Sequence, residues 1–215
     1  MTTTTFDPLT GSNGILVGIV PLVPRLHLEF SATYDTVATF GPPTEEDPDI
    51  IRVNVTGEIP EGEVAPFGLT DFESNTFGTA TEVTTSGDGI IETATFSFDA
   101  DPTKFGLPED LREQPYSDTY SGDETDNKLF GNASDMAVLN FVEGTINGGG
   151  EITIIGGDGI FENATGLITF EQQDNLPPIE DPTNPFASLT EPSRGQATLT
   201  YSVDIPLINL FGTFL

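Results

Sequence analysis

Thirty-five Asp and Glu residues against six Lys and Arg make carboxylates the dominant titratable groups of this 215-residue chain. The first chemistry to consider is therefore that of oxygen ligands and acids. Asp123, Glu124, Asp126 and Asn127 stand together in SGDETDNK, and Glu45, Glu46, Asp47 and Asp49 form a second cluster in GPPTEEDPD. Hard oxygen donors of this kind suit calcium, but neither cluster follows the EF-hand spacing. Both read as solvated loops, with Asp123, Glu124, Asp126 and Asn127 the set that would take calcium if either does. GGDGIFENA approaches the calcium β-roll repeat, yet Phe161 stands where that repeat requires Asp, and no tandem copy follows.

Other chemistries lack raw material. With one histidine, His27, and no cysteine, neither a His/Cys zinc site nor a histidine-based triad can be assembled, and His27 reads as a solvent-facing strand residue. Carboxylate pairs for glycoside hydrolysis arise by accident among so many acids, and the absence of Trp removes the commonest sugar platform. GGDGIF has no Lys with which to complete a phosphate loop, and the sequons at Asn54, Asn132 and Asn163 are unremarkable in a Thr-rich chain. The formal charge of −29 repels phosphate backbones and anionic membrane surfaces, which argues against nucleic-acid partners. No apolar run is long enough to span a bilayer as a helix.

The elements that would position these groups are strands. Leu26, Leu28, Phe30, Ala32 and Tyr34 alternate with His27, Glu29, Ser31, Thr33 and Asp35, the period of a strand with one wet face. The same alternation runs through Ile51, Val53 and Val55, and through Ala197, Leu199, Tyr201, Val203 and Ile205. An extended segment over 69–83 meets IIETATFSF through the tight-turn signal SGDG, predicting a hairpin. Further strands are expected at 136–142, 151–155 and 167–172, separated by the turn motifs EGTINGGG and GGDGIFENATG. The stretch 99–127 reads as a long excursion with a helical turn at PEDLRE, and the proline-rich stretch 174–192 as another. About eight strands result, enough to close a small barrel and remove exposed edges; a β-sandwich is the alternative. On this barrel Tyr34 and Tyr201 are the inward polar candidates for a cavity that would take a small apolar ligand.

ITIIGGDGIFENATGLITFEQQ, within residues 148–173, resembles the hairpin of the allene oxide cyclase barrel, and dirigent proteins share a related turn. In it Gly156, Gly157 and Gly159 would supply positive φ, Phe161 would plug a barrel end, and Gly166 would allow a bend or bulge. The resemblance implies an antiparallel barrel of allene oxide cyclase type, of which the proline-rich stretches would be long loops and the apolar ends extended termini. It also implies a cavity-facing Glu and Asn on the first strand. Here that strand reads LHLEFSATYD, where Glu29 falls on the wet phase and the Asn has no in-phase counterpart. The family's cavity cysteine has no equivalent, so the fold transfers and the catalytic set does not.

One domain is expected: an N-terminal extended segment over 1–24, a barrel over 25–205 and an apolar tail over 206–215. The start of the chain lacks a basic region ahead of its apolar run. An acidic, cysteine-free, Gly/Thr/Asp-rich chain with the apolar end IPLINLFGTFL is similar in composition to type I secretion substrates. The leading expectation is a non-catalytic, secreted structural or adhesive microbial surface protein, exported by a type I route without a cleaved signal peptide. It would self-associate, even into filaments, through residues 14–23 and 206–215. The alternatives are a small-molecule-binding barrel or isomerase of allene oxide cyclase type, and a cytoplasmic location.

Overall fold

A computed structural model of the chain describes residues 23–41, 50–189 and 191–210. The 14–23 segment and the end of the C-terminal tail therefore lie almost wholly outside the described residues, as does the 42–49 acidic loop.

The described chain is all-β. Its strands are β1 (Arg25–Gly41), β2 (Ile50–Glu58), β3 (Asp71–Thr85), β4 (Ile91–Asp99), β5 (Asp118–Ser121), β6 (Lys128–Asn140), β7 (Thr145–Asp158), β8 (Thr165–Asn175) and β9 (Ser193–Pro206). Every pairing is antiparallel, and the ladder runs β2-β1-β9-β8-β7-β6-β4-β3 before β2 pairs with β3 to close the ring. Closure decides for the barrel over the sandwich, although among the described residues 25–34 of β1 and 80–85 of β3 have a ladder partner on one side only.

Nine strands occupy eight lanes of this ring, because β4 and β5 share one. β3 pairs with β4 from Phe77 onward and with β5 over Asp71–Ser74, while β6 pairs with β5 over 129–131 and with β4 from Ser134. Both short strands run the same way, so β5 resumes the path that β4 leaves at Asp99. Residues 100–117 are a detour out of the wall and back. Ala100 N–H donates to Ala133 O at 3.0 Å and Ser117 N–H to Gly131 O at 3.0 Å, which stitches both ends of the detour to β6.

The alternation that predicts each strand also sorts its faces. Tyr34, Ala197, Leu199, Tyr201, Val203 and Ile205 are buried, while Glu29 and His27 lie outside. Two apolar clusters fill the barrel. One gathers Tyr34, Phe72, Tyr120, Tyr201 and Phe161 at one end. The other gathers Phe96, Phe98, Leu139, Ile146, Leu176 and Leu189 at the opposite end, where Phe186 packs edge-on against Phe96 and Phe141. Each large apolar side chain so buried contributes roughly 1.5–3 kcal/mol. Phe161 is fully buried at its end; the 176–189 segment covers the other.

In the 156–166 turn Gly156 (φ 153°), Gly159 (φ 65°) and Gly166 (φ 144°) have positive φ. Gly157 does not, and its reason is close approach: a Cβ there would lie 2.1 Å from Lys128 O. EGTINGGG is mostly strand where a turn is expected. The turn is confined to 141–144, and TINGGG opens β7, fully paired with β6 and β8.

Candidate functional site

Between the two apolar clusters the lumen keeps a cavity of about 70 Å³. Its walls are largely apolar, from Val53, Phe72, Phe98, Ile152 and Leu199, and into them project three carboxyl groups: Asp118 on β5, Asp135 on β6 and Asp174 on β8.

Strand phase explains why these acids point inward. On β6 the inward series is Leu129, Gly131, Ala133, Asp135, Ala137 and Leu139, so Asp135 holds a position where an aliphatic residue would be ordinary. Room for it comes from β7, where Gly150 is its cross-strand partner. A Cβ on Gly150 would stand 2.4 Å from the Asp135 Cβ. Gly148 borders the same cavity, so the glycine run at 148–150 serves the lumen wall. Asp118 is where the chain re-enters the wall after its detour, opposite Ser74 and Gly131.

The three acids differ in their partners. Asp118 is fully buried; Ser117 Oγ donates to its Oδ2, and Tyr120 OH approaches its Oδ1 at 3.4 Å. Burial pushes its carboxyl up to about 6 against the pull of these hydroxyls and that of Ser74. Asp174 accepts from Thr36 Oγ1 at 2.7 Å and Gln172 Nε2 at 2.6 Å, and burial raises its pKa as well. Asp135 has no side-chain hydrogen bond from the described residues. Burial, then repulsion from Asp118 and Asp99, pushes it up to about 7. Asp135 is thus a carboxylic acid that keeps its proton close to neutrality and offers it to the cavity.

Tyr34 and Tyr201 also point inward but fill the packed end. Tyr34 OH donates to Leu69 O at 2.9 Å and lies 3.0 Å from Tyr201 OH, and burial pushes the Tyr34 phenol up to about 12. The tyrosine that borders the cavity is Tyr120. Of the calcium candidates, Asp123, Glu124 and Asp126 are exposed in the turn before β6. Asn127 spends its amide on structure, donating to Phe67 O at 2.9 Å and accepting from Ile160 N–H at 3.1 Å. Among the described residues no group of three or more His, Asp or Glu converges as a metal site. His27 lies on the outer wall between Asp204 (3.1 Å) and Glu29 (3.3 Å), whose hydrogen bonds raise its pKa.

No protein-family model and no curated protein matches this chain. Among solved structures it is similar to a pterocarpan synthase dirigent protein. The identity is 13%, over 83% of this chain and 86% of that one, with a TM-score of 0.21.

Sequence reasoning did not single out Asp118, Asp135 or Asp174. The available signal was phase: Asp135 shares its parity with Ala133, Ala137 and Leu139, and Asp174 shares its parity with Ile168 and Phe170. An acid on the apolar phase of a strand is the exception that marks an interior polar site.

Proposed function

We propose that the chain is a small-molecule-binding barrel whose ligand is compact, neutral and largely apolar and carries an oxygen acceptor. The observation that carries this reading is the Asp135 carboxyl, directed into a largely apolar cavity with no group among the described residues to take its proton. A ketone, ether or epoxide oxygen would accept that proton as a hydrogen bond, while a carboxylate ligand would meet three acids. The apolar walls favour burial of the ligand's hydrocarbon part. An isomerase or cyclase of the allene oxide cyclase kind is the catalytic extension. Asp135 would act as general acid toward the bound oxygen, with Asp118 modulating its proton affinity by charge.

The test is a thermal-shift screen of neutral cyclic ketones and epoxides against the full chain at pH 5 and pH 8, paired with D135L. A ligand present at about 100 times its Kd adds about 2.7 kcal/mol of stability, which in a chain of this size is a rise of roughly 5–10 °C. The expected pattern is a rise at pH 5 that shrinks at pH 8 and disappears in D135L. An equal rise in D135L, or none with any neutral ligand, refutes the assignment.

A further inference from the structure

A second cavity, of about 200 Å³, lies outside the barrel, where the 100–117 detour folds back over the outward faces of β2, β3 and β5. Two of the six cationic side chains of this acidic protein border it, Arg52 from β2 and Arg112 from the detour. Phe77, Leu111 and Tyr116 supply an apolar side, and Phe77 is buried there beneath the Arg52 guanidinium, 6.0 Å from its ring centre. The floor is fixed: Asn75 N–H donates to Ser117 O at 2.8 Å, and Ser117 N–H to Asn132 Oδ1 at 3.2 Å.

The two arginines are unequally satisfied. Arg52 Nη2 donates to Glu113 at 3.2 Å, in a pair whose acid is largely exposed. Arg112 pairs with no carboxylate among the described residues, although 35 acids are available. Its Nη2 donates to Pro115 O and Asn132 Oδ1, both neutral, and its Nε is buried without a partner. The other acid of the groove, Glu73, is already held by the Asn54 and Asn75 amides at 3.1 Å. One guanidinium is therefore covered by an exposed acid, and its neighbour across the groove feels Asp101 at longer range but has no carboxylate in contact among the described residues.

We propose that this groove is a carboxylate-binding site, in which Glu113 covers Arg52 until a ligand carboxylate displaces it and is shared with Arg112. A planar guanidinium fork matches a carboxylate in two parallel hydrogen bonds; Arg52 supplies that fork once Glu113 leaves, and Arg112, whose Nη2 is already taken, adds its charge. The apolar side fits a compact aromatic or aliphatic body. A single negative charge is what the site can hold, since the −29 surface opposes multiply charged anions. This site is independent of the lumen, whose acids select against the same ligand.

Benzoate is the probe, with uncharged benzamide as control, followed through the arginine Nε–H and backbone amide NMR signals of the full chain at low salt. Benzoate at millimolar concentrations is expected to shift Arg52, Arg112 and Ser117 saturably, and benzamide to leave them in place. R112Q weakens binding about tenfold or more; should it not fold, R52Q on the strand face gives the same reading. E113Q is the distinctive variant, because it removes the occupant: benzoate should bind up to about fivefold tighter, the worth of releasing an exposed ion pair. E109Q, which removes the same charge outside the groove, should not change affinity. No saturable shift in either wild type or E113Q overturns the proposal, as does equal response to benzamide or equal tightening by E109Q and E113Q.

Discussion

Replacing Asp135 by Asn should make the protein more stable at pH 8 and leave it nearly unchanged at pH 4. In the folded barrel the Asp135 carboxyl is pushed up to about 7, mainly by burial and then by Asp118 and Asp99; in the unfolded chain it titrates near 3.9. The folded state therefore holds a proton that the unfolded state has released, so stability falls as pH rises from about 4 and levels off once pH passes about 7. About three pKa units correspond to at most about 4 kcal/mol. The shared repulsion with Asp118, pushed up to about 6, means that D135N also lets Asp118 ionise more easily. Asn keeps the shape and cannot ionise, so the pH-dependent cost disappears with it. Urea unfolding of both proteins at pH 4, 6 and 8 measures the effect as a double difference, which cancels the self-repulsion of the acidic surface common to both. Wild type should lose several kcal/mol more than D135N between pH 4 and 8. Parallel pH profiles would refute the placement of Asp135 inside the wall.

Two further outcomes concern packing. G166A should destabilise by more than about 2 kcal/mol, because φ is 144° there and a Cβ would stand 2.1 Å from Ser202 O; urea midpoints equal to wild type would contradict the β8–β9 register. Y34F should cost roughly 1–3 kcal/mol, since it leaves Leu69 O and Tyr201 OH without their buried partner. It should leave lumen binding intact, which a thermal-shift titration of both proteins checks.

Much of the barrel is written in period-two alternation, and where that signal is strong, as along 26–34 and 197–205, the strands form with the expected faces. Most of the failures share a physical origin: the sequence signal is hydrophobicity, and the lumen wall is not everywhere hydrophobic. β6 begins at Lys128 rather than near Met136 because its inward positions include Gly131, Ala133 and Asp135, which look polar or neutral. The first half of β7 resembles a turn because it makes room for Asp135 with glycine. β5 has four residues and no room for a period; it exists because β3 and β6 leave a vacant stretch of lane for it. The acids were visible, but their convergence depends on three strands far apart in sequence.

The shared lane of β4 and β5 has a consequence for how such a protein can change. Residues 100–117 are an insertion within one strand, so they can lengthen, shorten or be exchanged without altering strand order, ring size or the direction of any neighbour. The outer groove is built partly from that insertion, and the lumen mostly from residues the insertion does not carry. The lumen cavity and the outer groove are thereby free to diversify separately, joined only where the chain re-enters the wall at Asp118.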